Sequence, residues 1–225
     1  DRFVKERLIP NEALVADEDA IPPALVQEIR EIGLFGMSIP EEYGGLGLSM
    51  SEEVQAAFVL GQTSPVFRSL VGTNNGIGSQ GIIIDGTPEQ KAKYLPALAS
   101  GEMIASFALT EPDAGSDAGS LRTTARRDGD HFVLNGTKRY ITNAPRADVF
   151  TVFARTNSET TGSSGVSAFI VEAGTPGLSL GQPDKKMGQK GSHTCDVVLE
   201  DVRVAAANII GGPARENQGF KTAMK

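Results

Sequence analysis

The stretch Phe107–Asp117 carries residue types that can bind a phosphate group or the edge of a flat ring. Its sequence, FALTEPDAGSD, passes from an apolar strand into a loop of small residues. Successive backbone N–H groups in such a loop can form an anion-binding concavity, to which the Ser116 hydroxyl adds a donor. The Thr110 hydroxyl can hydrogen-bond the edge of a heteroaromatic ring. Composition alone predicts an ordinary turn here, with a phosphate or cofactor loop as the alternative.

Other candidate sites have simpler explanations. The glycines of Gly44–Gly47 resemble part of a phosphate loop, but the stretch lacks the P-loop lysine and predicts a loop between helices. His193 and Cys195 lie two positions apart, but the chain has only two histidines and one cysteine, so no zinc site is expected. The acidic side chains between residues 111 and 117 could hold a hard cation, although solvation and turn hydrogen bonds explain them more simply.

Composition and charge bound the class of protein. The chain has 225 residues, of which 40% are hydrophobic and 22% charged, and its net charge is −7. This acidic balance argues against a nucleic-acid binder, which usually carries a basic patch. No apolar run approaches the roughly 18–20 residues that span a bilayer, so no stable membrane insertion is expected. The single cysteine excludes an internal disulfide and fits a reducing compartment.

The first half of the chain predicts helices with recognisable ends. Apolar residues recur at helical spacing, and capping sequences mark the boundaries. Four helices are expected: Asp1–Ile9 ending at Pro10, one after Pro22-Pro23 capped by Gly33, one after the capping box Ser49–Glu52, and one from Thr87 to Gly101. Because the chain starts and stops within helix-like sequence, both ends are expected to be cut, and a targeting peptide would not be visible.

The second half predicts strands. Asn135-Gly136 is a strong hairpin signal, so a turn is expected between the strands His131–Leu134 and Thr137–Thr142. Further β-rich runs are Val149–Ala154, Val166–Val171 and Val197–Val204. The pattern therefore predicts an α+β chain in which an all-α domain is followed by an antiparallel β-barrel-like domain, with the junction near Ser100–Met103.

The stretch Phe107–Asp117 resembles the signature of the acyl-CoA dehydrogenase family, T-E-P-x-A-G-S-D after an aromatic residue. Three further stretches are similar to family motifs and occur in the family's order: Ile39–Gly47, Leu134–Asn143, and Met187–Ser192 together with Leu199–Val204. Two residues depart from the pattern. Tyr140 replaces the commoner tryptophan, and Asp113 stands where glycine is frequent, adding a negative charge near an expected diphosphate. The resemblance covers nearly the whole chain.

The resemblance implies a fold and a set of ligand contacts. The family has a helical domain, a β domain and a C-terminal helical bundle, which implies domains at 1–103 and 104–212 and the start of a truncated third domain at 213–225. It implies FAD contacts at Phe107, Ala108, Leu109, Thr110, Gly115, Ser116, Tyr140, Ile141 and Thr142. Within this set the Thr142 hydroxyl would lie near the flavin N5 edge, and Tyr140 would pack on the flavin. Ser116 and Ser163 would contact the CoA part of the substrate.

The reaction implied by the resemblance is α,β-dehydrogenation of an acyl-CoA thioester. In the family a glutamate removes the α-proton while the β-hydrogen leaves as hydride to the flavin. That glutamate lies in the C-terminal bundle, so no catalytic residue is assigned within this chain. The implied partners are acyl-CoA and an electron-transfer flavoprotein, in a homotetramer or homodimer of the cytoplasm or mitochondrial matrix. Two alternatives stay open, a flavin oxidase or monooxygenase of the same fold and a non-catalytic structural subunit.

Overall fold

The computed structural model describes residues 1–224, which begin with a helical layer. Its elements are the helical turns Val4–Leu8 and Ile9–Asn11, α1 (Glu12–Glu18), α2 (Pro23–Glu31), α3 (Met50–Leu60), α4 (Pro65–Thr73), a wide helical turn Asn74–Gly78, α5 (Ser79–Asp85) and α6 (Pro88–Ser100). A short helix, α7 (Gly219–Ala223), follows the sheet. Within residues 1–224, no helix is both long and apolar enough to cross a bilayer.

The expected helix ends are mostly confirmed. Ser49 and Thr87 each form a capping box, and in the second one the Gln90 amide donates to the Thr87 hydroxyl at 3.2 Å. Gly101 ends α6 in the left-handed conformation, φ +73°. The prediction that Pro10 ends the first helix is wrong. Pro10 lies in the first turn of a new helical segment, where its missing N–H costs no hydrogen bond.

The second layer is a curled, mixed β-sheet that forms a half-barrel. Its strands are β1 (Ala105–Ala108), β2 (Thr124–Asp128), β3 (His131–Thr142), β4 (Val149–Arg155), β5 (Val166–Glu172), β6 (Leu178–Leu180) and β7 (Thr194–Ala205). The long strand β3 pairs antiparallel with β2 and with β7, and β4 pairs antiparallel with β5. The expected α+β class is confirmed, but β1 runs parallel to β4, with Ala105 opposite Val149.

The expected hairpin at Asn135-Gly136 is wrong, because β3 continues through both residues. The hairpin turn lies six residues earlier, at Gly129, whose φ is +63°. Gly136 instead lies opposite Leu199, beside a register shift at which β7 holds one extra residue, and its φ is +152°. A Cβ atom at Gly136 would lie 2.4 Å from Thr123 Oγ1, so this close approach needs glycine. The Asn135 side chain accepts from the Asp201 amide at 2.9 Å.

A buried asparagine fixes the sheet to the helical layer. Asn74 is fully buried, and its amide nitrogen donates to the Leu98 carbonyl at 2.9 Å. Its side-chain oxygen accepts from the Ala105 amide, also at 2.9 Å. Leu95 and Leu98 of α6 pack in one apolar cluster with Phe153 of the sheet. Strand β1 therefore starts from a defined position on the helices, which in turn places the loop that follows it.

Candidate functional site

The loop after β1 meets the end of β3, which joins the two stretches expected to contact the cofactor. The Arg139 amide donates to the Thr110 carbonyl at 2.8 Å. Three residues further along β3, the Ser106 hydroxyl donates to the Thr142 carbonyl at 2.8 Å. These bonds hold the loop beginning at Phe107 alongside the end of β3, although the two stretches are about thirty residues apart in the chain.

Three hydroxyl groups at this junction are available to a ligand. Within residues 1–224, the hydroxyls of Thr110, Ser116 and Thr142 have no hydrogen-bond partner. Thr142 is half-buried and lines an open cavity of about 380 Å³ together with Ser69 and Gln189. Hydroxyls can donate and accept, so they suit a ligand that offers both kinds of polar edge.

Tyr140 presents an aromatic ring at the surface beside these hydroxyls. It lies in a second irregularity of β3, between Lys138 and Ile141, and its φ is +58°. This conformation is unfavourable for a bulky residue and is typical of functional sites. The Tyr140 residue is 60% exposed, and the Arg139 guanidinium lies over its ring, 4.8 Å from the centroid. The bulge turns Tyr140 outward while Ile141 is buried.

Several expected contact residues point their side chains into the core. Ala108 and Ile141 are buried in the sheet cluster, and the ring of Phe107 packs on Phe153 with centroids 4.9 Å apart. Leu109 packs on the cluster between helices and sheet. These residues can offer a ligand backbone groups more readily than side chains. The exposed positions Gly115 and Ser116 complete the loop, and a Cβ atom at Gly115 would meet nothing within 4 Å.

A buried ion pair beneath the loop was missed by the sequence reasoning. The Lys138 ammonium lies 2.7 Å from the Glu111 carboxylate, and the two side chains are 0% and 5% exposed. Lys138 also donates to the Leu109 carbonyl at 3.2 Å. Burial lowers the pKa of Lys138 to about 8, although the negative charge of Glu111 acts to raise it. The ammonium is therefore charged at neutral pH.

Glu111 is the centre of the loop's hydrogen bonds. Its carboxylate accepts from the backbone amides of Arg122 and Thr123 at 2.6 and 2.9 Å, as well as from Lys138. Burial alone would raise the pKa of Glu111, but the Lys138 charge and these hydrogen bonds together hold it below its usual range. Glu111 was considered as a ligand of a hard cation. In the structure the Lys138 ammonium is its cationic partner instead. Residues two apart in a strand share one face, so the position of Lys138 in line with Phe132 and Leu134 was a sequence signal for its burial.

The other sequence candidates occupy structural positions. His193 lies 3.3 Å from Asp19, and burial raises the pKa of the Cys195 thiol to about 11. In the glycine-rich loop after Ile39, a Cβ atom at Gly45 would lie 2.0 Å from the Ile39 carbonyl oxygen, so glycine serves close packing. Across the described part of the chain, no group of three or more His, Cys, Asp or Glu side chains is placed to hold a metal ion.

Ser163 lies in a separate loop that reaches the Ser116 loop. A Cβ atom at Gly119 would lie 3.2 Å from the Ser163 amide nitrogen, so the two loops touch at that point. Gly119 follows Ser116 by three residues. Both serines are exposed. The structure therefore brings the loops of the two expected substrate-contact serines together, although forty-seven residues separate them in the chain.

Comparisons with known proteins agree with this architecture. The family model described as the acyl-CoA dehydrogenase N-terminal domain matches residues 1–102, and that of the acyl-CoA dehydrogenase middle domain matches residues 106–202. An acyl-CoA dehydrogenase of Bacillus subtilis (strain 168) is 38% identical over 222 residues, which are 99% of this chain and 58% of that protein. The acryloyl-CoA reductase (NADH) of Anaerotignum propionicum is 42% identical over 226 residues, 100% of this chain and 56% of that protein.

A solved structure shows the same fold. The acyl-CoA dehydrogenase from Bacillus anthracis, complexed with FAD, superimposes with a TM-score of 0.87 and 40% sequence identity, covering 99% of this chain and 37% of that one. The chain thus spans little more than half the length of the two curated relatives named above. The family models, sequence identities and fold agree, and this chain belongs to the acyl-CoA dehydrogenase family.

Proposed function

We propose that the protein containing this chain uses FAD to dehydrogenate an acyl-CoA thioester to the 2-enoyl-CoA. The observation that carries the proposal is the hydrogen-bonded junction between Thr110 and Arg139. It sets an exposed aromatic ring and unpartnered hydroxyls beside a small-residue loop, on one continuous wall. Of the open alternatives, a ligand with both a flat ring system and a diphosphate uses all of these features.

The groups on this wall fit a flavin nucleotide. The hydroxyls of Thr110 and Thr142 have no protein partner in residues 1–224 and are free to bond a heteroaromatic edge. The ring of Tyr140 is exposed and can pack on a flat face. Gly115 and Ser116 supply small, exposed positions for a diphosphate. When bound, FAD supplies the redox chemistry, while the protein supplies orientation and electrostatics.

The substrate is proposed to bind across the two touching loops. Ser116 and Ser163 are assigned to the CoA part of the thioester. Removal of the α-proton requires a base near the acyl group, and the family resemblance assigns it to a glutamate of the C-terminal bundle. We therefore assign no residue of this chain to that step. The wall described here binds and orients, and it stabilises charge that develops on bound groups.

The reverse reaction is a second candidate. One relative, 42% identical over all of this chain, is an acryloyl-CoA reductase, which implies that closely related sequences add hydrogen to an enoyl thioester. The same wall serves either direction, because both directions need the same ring, thioester and polar contacts. Net direction depends on the electron donor or acceptor that the protein meets.

The assembly and partners are proposed from the same resemblance. An electron-transfer flavoprotein is proposed as the redox partner, and a homotetramer or homodimer as the assembly, in the cytoplasm or the mitochondrial matrix.

The division of the chain into domains at 1–103, 104–212 and 213–225 stays a prediction. It agrees with the end of α6 at Ser100 and the start of β1 at Ala105. Lys225 lies outside the described residues.

The test is turnover by the full-length holoprotein. Saturated acyl-CoA is supplied with an artificial electron acceptor, and the thioester product is followed by mass spectrometry. The proposal predicts loss of two hydrogen atoms and a 2-enoyl product that depends on the acceptor. Stoichiometric hydrogen peroxide in air without an acceptor would instead indicate the oxidase alternative. A protein that reduces enoyl-CoA but never oxidises acyl-CoA is a reductase, and one without flavin or turnover is a structural subunit.

A further inference from the structure

Arg155, at the end of β4, is bonded entirely to backbone carbonyl oxygens. Its two terminal guanidinium nitrogens donate to the carbonyls of Ser164 (2.8 Å), Thr160 (3.2 Å), Gly119 (2.9 Å), Gly162 (2.9 Å) and Leu121 (3.4 Å). These carbonyls belong to two loops, at 117–121 and 160–165. One side chain therefore fixes both loops that carry or adjoin the proposed substrate serines.

Turning these carbonyls toward Arg155 leaves the other side of each loop for a ligand. The backbone N–H groups of Gly119, Gly162 and Ser163 have no acceptor in the part of the chain that the structure describes. The hydroxyls of Ser116 and Ser163 are likewise without partners there. The carbonyls of both loops are thus occupied by Arg155 while these N–H groups keep no protein acceptor, and unpaired backbone N–H groups favour an anion.

The charge balance around Arg155 favours a negative ligand. Arg155 makes no ion pair within 4.0 Å with any carboxylate of residues 1–224, so the protein leaves its charge unpaired. Of the two aspartates that flank Ser116 in its loop, Asp113 is paired with Arg122 at 3.2 Å, whereas Asp117 accepts from the Ser120 hydroxyl at 2.5 Å and keeps its charge. On a protein of net charge −7, such a local positive centre raises the affinity of an anionic group.

A cavity lies beside the second loop. It has a volume of about 480 Å³ and is lined by Ser163, Thr160, Asn217 and Lys221, among others. Its hydroxyl, amide and ammonium groups suit the phosphate-bearing end of a thioester rather than an acyl chain. The cavity is continuous with the loop that Arg155 holds, because Thr160 and Ser164 both line it and their carbonyl oxygens accept hydrogen bonds from Arg155.

We propose that Arg155 is a positioning residue for the CoA part of the substrate. It touches no substrate atom, and it holds the Ser116 and Ser163 loops with their N–H and hydroxyl groups facing the diphosphate. The inference rests on the proposed function and names the part of the substrate on which Arg155 acts. Loss of Arg155 weakens binding of the CoA part and leaves the reacting acyl part unaffected.

The experiment compares acyl-CoA with the matching acyl-pantetheine, which lacks the phosphates, in the full-length holoprotein. For Arg155→Gln we expect KM for acyl-CoA to rise about tenfold or more, a loss of about 1.4 kcal/mol. KM for acyl-pantetheine, and kcat for both, should stay within about twofold, the scatter of a surface substitution. Arg155→Lys should recover part of the loss, because an ammonium reaches fewer carbonyls than the guanidinium fork. Arg126→Gln, at an exposed arginine of β2, is the matched control.

Calorimetry with free CoA separates this inference from the proposed function. If wild type turns over neither thioester, the dehydrogenase proposal fails, yet tighter CoA binding by wild type than by Arg155→Gln still supports the role of Arg155. Equal losses with acyl-CoA and acyl-pantetheine would overturn the inference, since Arg155 would then act on the whole site. Loss of FAD with unchanged CoA binding would also overturn it, because the loops would serve the cofactor's diphosphate. Thermal melts of Arg155→Gln and Arg155→Lys check that both variants remain folded.

Discussion

The Lys138 ammonium and the Glu111 carboxylate lie 2.7 Å apart beneath the loop that leads from β1 to β2, and both side chains are buried. The pair joins the middle of β3 to the loop that carries the proposed cofactor contacts. Because Lys138 also holds the Leu109 carbonyl, the conformation of the loop depends on this one ammonium. Stability and site geometry are therefore coupled at Lys138.

Removing one member of the pair should destabilise the fold strongly. Lys138→Met leaves the buried Glu111 charge without its partner, and such changes typically cost about 3–5 kcal/mol. Urea unfolding of the variant and of wild type measures the difference. Arg122→Met is the control, because the Arg122–Asp113 pair is 78% and 69% exposed and should contribute less than about 1 kcal/mol.

The double variant Lys138→Met with Glu111→Leu should recover part of this loss, because it removes both buried charges. A single variant as stable as wild type would contradict the view that the pair is buried and coupled.

The same pair predicts how stability changes with acidity. The folded pKa of Glu111 lies below its ordinary value of 4.5. Its contribution is therefore complete above the unfolded pKa and is lost as the pH falls through the folded pKa. Below pH 4.5 the unfolding free energy of wild type should fall more steeply than that of the double variant. Parallel pH profiles of the two proteins would show that Glu111 is not held ionised by the fold.

Replacing Gly136 tests the close approach of β3 to Thr123. Gly136→Ala places a methyl group 2.4 Å from Thr123 Oγ1 at φ +152°, which requires the backbone to shift. We expect a loss of about 1–3 kcal/mol in unfolding free energy, as for other overpacked sites. Gly115→Ala is the matched control, since a Cβ atom there meets nothing within 4 Å. A Gly136→Ala variant as stable as Gly115→Ala would contradict the close approach of β3 to Thr123.

The Asn135-Gly136 dipeptide shows which features of the fold can be predicted from the sequence. Glycine suits a hairpin turn and a crowded strand position alike, and only the pairing of β3 with β2 and β7 decides between them. The same limit applies to Pro10, which is compatible with a helix end and with a first helical turn. The capping boxes at Ser49 and Thr87 were predictable because their hydrogen bonds are local. Helices α4 and α5 carried no such signal.

Replacing Tyr140 should stabilise the apoprotein and weaken cofactor binding. Tyr140→Gly relieves the left-handed conformation at φ +58°, so the apoprotein should gain about 1 kcal/mol. The same change removes the exposed ring proposed to pack on the flavin, so FAD should dissociate more readily. Thermal melts of the apoprotein and fluorescence titration with FAD measure the two effects. A variant that gains stability and keeps its FAD affinity would remove Tyr140 from the proposed site.

The site was predicted from the sequence in part only. Thr110, Ser116 and Thr142 were expected from motif resemblance, and the structure brings Thr110 and Thr142 to one junction through main-chain bonds. Lys138 and Arg155 were not expected, because a buried lysine and an arginine bonded to carbonyls look like surface charges in a sequence. Lys138 depends on Glu111 in another part of the chain, and Arg155 depends on two separate loops, which no local pattern encodes.

The most direct test of the central claim is an anaerobic titration of the full-length holoprotein with acyl-CoA, followed by visible flavin absorbance. Thr142→Val serves as the comparison, since it removes a hydroxyl that lines the cavity at the junction with little change in shape. We expect acyl-CoA to bleach wild type, and the variant to bleach about tenfold more slowly or worse, as for a lost hydrogen bond of about 1–3 kcal/mol, at a similar Tm. Flavin absorbance that acyl-CoA leaves unchanged in wild type, or equal bleaching rates in both proteins, would contradict it.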